Sequence, residues 1–223
     1  MLRIRIAALA FSALALSGCI TTSMQGYADR QLPERAVQRI AVYVSAPGSL
    51  GPSLQTNISI EAKKRGVFAE DALVLLPPTR TYSNDEVKKA LATDGIDAVL
   101  VLDVGDSGIR REYAGTIFSG SYSGSSSAMG TATRFGGMTN INMSGSSYGT
   151  TTAVSAPTYR YSRQTAFQAK LIDVASGRTL WVGNGQVQSG GSLFVGDGAN
   201  ANSAASAIFE DMHTKGVIGT AAS

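Results

Sequence analysis

Between Arg39 and Leu102 the chain alternates three short β-rich runs with two helical periods, and that order constrains the fold more than any other feature. Arg39-Ile40-Ala41-Val42-Tyr43-Val44 is a strand-like run closed by Ala46-Pro47-Gly48. Pro52 follows where a first helical turn accepts proline. Leu54, Ile58 and Ala62 recur at the spacing that places them on one helix face. Lys63-Lys64-Arg65 and Gly66 supply a cationic last turn and a glycine stop. Ala72-Leu73-Val74-Leu75-Leu76 is continuously apolar, as a strand buried on both faces would be, and Pro77-Pro78 ends it. Ser83 with Glu86 three positions on predicts a capping box. The helix it opens carries Val87, Ala90 and Leu91 inward and stops near Gly95. Ala98-Val99-Leu100-Val101-Leu102 is then a third strand. The order reads βαβαβ, whose crossovers are right-handed.

The composition then breaks. Of the 45 positions 114–158, 26 are Gly, Ser or Thr, and Arg134 is the only charged residue among them. Such a stretch has too little apolar surface to offset chain entropy, so it is expected to be a flexible insertion between two strands. Period-two alternation returns over Gln164–Val174, turns at Ala175-Ser176-Gly177-Arg178, and continues from Thr179 to Val182, which predicts a β-hairpin. A loop is expected from Gly190 to Asn200. Ala204, Ala205, Ile208, Phe209 and Met212 then give a C-terminal helix stopped at Gly216. The fold class expected is α/β (α+β), one mixed sheet with helices packed on it, in a single domain over residues 37–223.

Residues 1–18 precede the fold. Arg3 and Arg5 form a positive start, and Ile6–Leu16 is an apolar run of eleven, the length of a secretory h-region and short of the about 20 residues that span a bilayer. Leu16-Ser17-Gly18-Cys19 follows and resembles the lipobox of bacterial lipoproteins. The resemblance implies cleavage between Gly18 and Cys19 and attachment of lipid to Cys19. The chemistry asks for a thiol acceptor, small residues beside it and a large aliphatic residue three positions before the cut. Cys19 is the only cysteine of the chain. Acyl chains contribute about 0.8 kcal/mol per buried methylene, so two or three of them hold a domain at a membrane without a spanning helix. Ile20, in place of an Asp after the cysteine, implies sorting to the outer membrane, the domain facing the periplasm. Residues 19–36 are polar and without apolar period, and read as a tether.

Two fragments carry a further resemblance. Gly95-Ile96-Asp97-Ala98-Val99-Leu100-Val101 and Phe167–Trp181 (FQAKLIDVASGRTLW) are similar to the helix-to-strand junction and the hairpin of envelope lipoproteins related to CsgG and to the N-terminal domain of TolB. In the hairpin, Asp173 is placed to accept backbone N–H groups across the turn. Gly177 permits positive φ there, and Trp181 anchors the returning strand to the core.

Familiar catalytic constellations are not found in the sequence. With one His and one Cys, the usual Cys/His zinc sites and a haem site lack ligands. Gly120-Ser121-Tyr122-Ser123-Gly124 has Tyr where a hydrolase elbow has its Ser nucleophile, and His213 falls at a helix end, where it complements the dipole. Gly183-Asn184-Gly185 lacks the third glycine of a dinucleotide fingerprint and precedes no helix. The adjacent acids Glu70-Asp71 and Glu210-Asp211 read as solvated surface. Met129, Met138 and Met143 are too sparse for a thioether copper motif. Removing Arg3 and Arg5 lowers the net charge from +3 to +1, and no basic stripe for nucleic acid remains. The expectation is a lipid-anchored, non-catalytic interaction or assembly module of the envelope, without cofactor. Its partners are membrane lipid through Cys19 and envelope proteins or copies of itself. The alternatives are an oligomeric secretion or pore component like CsgG, with residues 114–158 entering the membrane, and an envelope enzyme.

Overall fold

The computed structural model describes residues 19–33, 36–124, 129–135, 138–144 and 149–219. The expected signal segment, with Gly18, lies outside them. The chain divides into two units, residues 1–110 with 161–223 and residues 111–160.

The first unit is a mixed α/β layer structure, as expected. The six-stranded sheet runs β1-β8-β7-β4-β2-β3, with β1 Ile20–Ala28, β2 Arg39–Ser45, β3 Phe68–Asp71, β4 Ala98–Gly124, β7 Gly149–Asp173 and β8 Thr179–Gly190, of which residues 111–124 of β4 and 149–160 of β7 belong to the second unit. The βαβαβ portion is present, with β2 central and parallel to both β3 and β4. Helix α1 (Leu50–Lys64) buries Leu54, Ile58 and Ala62, the expected stripe, together with Leu50, and gives way to Gly66 at φ 70°. With α4 (Asp197–Thr214) it covers one sheet face, over Ile40, Val42, Leu100, Leu102, Phe167, Leu171 and Trp181. The opposite face carries a smaller cluster of Ala41, Ala72, Leu91, Ile96 and Val174. Helices α2 (Ala72–Leu75) and α3 (Asn84–Thr93) contribute Ala72 and Leu91 to it. The capping box of α3 is closed in both directions: the Ser83 hydroxyl accepts from the Glu86 N–H, and Glu86 accepts from the Ser83 N–H at 2.8 Å.

Four expectations change. Residues 72–75 are a helical turn, and the second strand is the earlier Phe68–Asp71. An apolar run of that length does not distinguish helix from strand. Asp71 decides it, its carboxylate accepting the Leu73 N–H at 2.8 Å as an N-cap, and Leu73 and Val74 are left exposed. The tether contains β1, which pairs along its whole length with β8. Its inward positions are Ile20, Thr22, Met24, Gly26 and Ala28, in which polar Thr22 and side-chain-free Gly26 interrupt the apolar residues beneath α4, so no apolar period shows. The Thr22 hydroxyl meets that of Ser203 on α4 at 2.6 Å. The loop expected at 190–200 shrinks to 191–196, since α4 begins at Asp197. Buried Asn200 donates from Nδ2 to the carbonyls of Phe194 and Gly196, each at 3.0 Å.

The fourth change is the insertion at 114–158. All of its described residues are strand: the continuation of β4, then β5 (Met129–Phe135) paired antiparallel with β6 (Met138–Ser144), then the start of β7. Ladder hydrogen bonds need no apolar side chains, and threonine suits an extended backbone. Within this second unit the Thr158 hydroxyl donates to the Gly115 carbonyl at 2.8 Å. The Arg111 guanidinium stacks on the Tyr159 ring, 3.5 Å from its centroid.

Candidate functional site

The residue singled out for lipid, Cys19, is exposed and directly precedes β1. Its carbonyl accepts the Gly190 N–H at 2.9 Å, and Ile20 pairs with Ser189, so the cysteine is seated at the end of the sheet where β8 finishes. From Gly190 the chain turns through Gly191–Phe194. The Gly191 N–H donates to the Tyr161 carbonyl of β7 at 2.9 Å, and the Phe194 N–H closes on the Gly191 carbonyl at 3.3 Å. Leu193 sits at the tip of this turn, 80% exposed.

Beneath the same end lies a polar network that sequence reading missed. Arg163 of β7 is 6% exposed. Its Nε donates to the Ser107 hydroxyl at 2.8 Å, and its Nη1 to the Val195 carbonyl at 3.0 Å and Asp197 Oδ1 at 2.6 Å. Asp197 Oδ2 accepts from the Ser49 hydroxyl. The Ser49 hydrogen bond, and then the Arg163 guanidinium, hold the Asp197 carboxyl below its ordinary range. Asp197 opens α4 and Ser49 precedes α1, so one buried cation pins the first turns of both core helices to the sheet. These partners are far apart in the chain and follow no local motif. A cavity of about 450 Å³ lies beside the network, lined by Asp106, Arg110, Ser162, Arg163 and Gln164.

At the other end of the sheet the two fragments that carried the resemblance come together. The Val174 N–H donates to the Asp97 carbonyl at 2.9 Å. Asp97 Oδ2 accepts the backbone N–H groups of Gln38 and Arg39 at 2.9 and 2.8 Å, and Asp173 accepts the Ser176 N–H at 2.6 Å. Gly177 has φ 71°. A groove of about 720 Å³ opens here, lined by Asp85, Lys88, Lys89, Asp97 and Asp173 among others. Two of its carboxylates are thus spent on holding the backbone of a strand start and a turn.

Trp181 is the anchor expected of it, 1% exposed, with Nε1 donating to Asp211 Oδ2 at 2.7 Å. Gly26 and Gly183, cross-strand partners on β1 and β8, both lie directly against the indole. Gly185 does the same under Phe167, so the glycines of the failed dinucleotide pattern are aromatic seats. The acidic pairs also depart from a purely solvated role. Asp71 caps α2, Glu210 pairs with Arg65 at 2.8 Å, and Asp211 holds Trp181. His213 is in the last turn of α4, as expected. Met129 opens β5, while Met138 and Met143 belong to β6.

The sheet face opposite α1 and α4 carries three uncharged rows across β1, β8 and β7. Cross-strand rows read Gln25-Asn184-Gln168, Ser23-Gln186-Ala166 and Thr21-Gln188-Gln164. The Gln168 amide donates to that of Asn184 at 3.0 Å. Among the described residues, no group of three or more His, Cys, Asp or Glu side chains is gathered as metal ligands would be. Among them also, no helix is long and apolar enough to cross a membrane.

No protein-family model matches the chain, and no curated protein matches it. The solved structures to which the chain shows similarity include the PelC dodecamer from Paraburkholderia phytofirmans in two crystal forms. One, of a point variant, is 13% identical with a TM-score of 0.39, covering 88% of this chain and 96% of that one. The other is 11% identical with a TM-score of 0.40, covering 91% and 99%.

Proposed function

We propose that the chain is a lipid-anchored, non-catalytic assembly module of the bacterial outer membrane, held there by acyl chains on Cys19. The observation that carries this reading is the seat of the cysteine. A hydrogen bond from Gly190 and an unbroken nine-residue pairing of β1 with β8 join the acylation point to the sheet without a spacer. Such a junction transmits the position of the lipid to the whole first unit, which is what an assembly part needs and a freely tethered enzyme does not. The free edge of β1 suits contacts with envelope proteins or with further copies. Its nine residues, ITTSMQGYA, hold neither charge nor proline, the usual guards of an edge strand. The test is Cys19→Ser with fractionation of the expressing cells and mass determination of the N-terminal peptide. Acyl mass on the parent and loss of membrane association in the variant support the reading. A variant that stays with the membrane overturns it.

A second reading, an oligomeric pore or secretion component, draws on the second unit. A strand crosses a membrane with about 9–11 residues, and β4 and β7 hold 27 and 25. On them Tyr113, Ile117 and Val154 are 63, 59 and 62% exposed. Ring-shaped particles in detergent that conduct ions in planar bilayers support this reading, and a monodisperse monomer without conductance removes it.

A further inference from the structure

We infer that the turn Gly191–Phe194 is a membrane-contacting tip, with Leu193 entering the headgroup–acyl boundary of the same leaflet that holds the Cys19 lipid. The inference rests on the acylation reading above and deepens it. Turn tips are ordinarily polar, yet Leu193 stands at this one 80% exposed, while its neighbour Val195 is buried at 6%. The turn is a firm mount. Gly191 is bonded to Tyr161 of β7, Phe194 to Gly191, and Gly190 to Cys19 itself. Leu193 is three residues beyond Gly190, a span of at most about 10 Å. A lipid on Cys19 therefore brings Leu193 within reach of the bilayer surface without movement of the domain.

The surroundings favour the same occupant. Residues 19–28 and 179–196 contain no Asp, Glu, Lys or Arg, so this end of β1, β8 and the turn meets a membrane with little charge to desolvate. The first charge after the turn, Asp197, is already neutralised by Arg163. Tyr161 and Phe194, both half-buried, flank the tip in the manner of aromatic residues at a membrane–water boundary. A docking site for a charged protein partner would need charge that residues 19–28 and 179–196 do not carry.

The test uses the acylated protein, in which the Cys19 sulfur is blocked and an introduced cysteine is the one free thiol. A polarity-sensitive fluorophore is placed on Ser192→Cys, beside an intact Leu193, and on Ala175→Cys in the β7–β8 turn at the far end of the same strands. Both proteins are reconstituted in phosphatidylethanolamine–phosphatidylglycerol vesicles with or without a shallow spin-labelled lipid. The expected result is a blue-shifted, quenched probe at 192 and an aqueous, unquenched probe at 175. Adding Leu193→Asn to the Ser192→Cys protein returns its probe to water, while the N-terminal peptide keeps its acyl mass. Equal, aqueous emission from 192 and 175 in protein of full acyl mass overturns the inference and leaves the anchor reading standing. Missing acyl mass overturns both. A probe at 192 that is aqueous on vesicles but shielded in native envelope membranes assigns the turn to a protein partner and also overturns the inference.

Discussion

Adding a single methyl group at Gly183 tests how the hairpin is locked to the core. A Cβ there would lie 2.5 and 2.6 Å from Cζ2 and Cη2 of Trp181 and also against the end of Met24. Carbon atoms prefer about 3.5–4.0 Å. Met24 is flexible and can turn aside. Trp181 cannot, because it is 1% exposed and its Nε1 is held by Asp211 at 2.7 Å. Shifting the indole by about 1 Å to restore contact distance strains the packing and breaks that bond. Overpacking costs about 1–3 kcal/mol, and a lost hydrogen bond to a carboxylate about 1.5–3 kcal/mol. Gly183→Ala is therefore expected to cost about 3 kcal/mol. Trp181→Phe removes the two clashing atoms along with the Nε1 donor, so in the double variant the methyl meets the flexible end of Met24, which can turn aside. Denaturant unfolding of the parent, both single variants and the double variant, at unchanged m-value, gives the coupling directly. The double variant should be less destabilised than the sum of the singles by about 2 kcal/mol. Additivity to within about 0.5 kcal/mol would refute the argument.

The Arg163–Asp197 pair should respond unequally to loss of each partner. Asp197→Ala strands a buried guanidinium and is expected to cost about 3–5 kcal/mol, whereas Arg163→Met refills the space and leaves a carboxylate still bonded to Ser49, at about 1–2 kcal/mol. Unfolding curves showing the reverse order would disprove this. The buried Glu61 tests pH linkage. Burial works to raise its carboxyl, but hydrogen bonds from Lys64 and Arg65 outweigh that and hold it below its ordinary 4.5. With the folded value depressed, the unfolded chain binds more protons in acid, so this stabilisation is complete above about pH 4.5 and is lost as pH falls through the folded value. Glu61→Gln should thus lower stability at pH 7 and flatten its fall between about pH 5 and pH 3. A parallel pH profile in the variant would contradict the assignment. Ser83→Ala removes the N-cap of α3 and should cost about 1 kcal/mol, read as a lower denaturation midpoint, with Ser83→Gly milder.

What could be read from the sequence was what is encoded within a few residues. The stripe of α1, the capping box at Ser83 and Glu86, and the turn at Gly177 each depend on neighbours three or four positions away, and each is where the spacing put it. Cys19 as the candidate lipid site is of the same kind, because its motif is four consecutive residues. The remainder needed contacts between distant segments. β1 looked like a tether because Thr22 and Gly26 interrupt its inward row, and they stand there because Ser203 of α4 and Trp181 occupy the space above them. The run at 72–76 looked like a strand until Asp71 capped it as a helical turn. The strands within 114–158 owe their form to backbone pairing, to which a count of apolar residues is blind. Arg163 meets Asp197, and Gly190 at the start of the Leu193 turn meets Cys19, only after β1, β8 and β7 have paired. Periodicity fixes local conformation through torsion angles and nearest neighbours. Which surface a residue meets across the sheet is decided by strand register, a property of the folded whole.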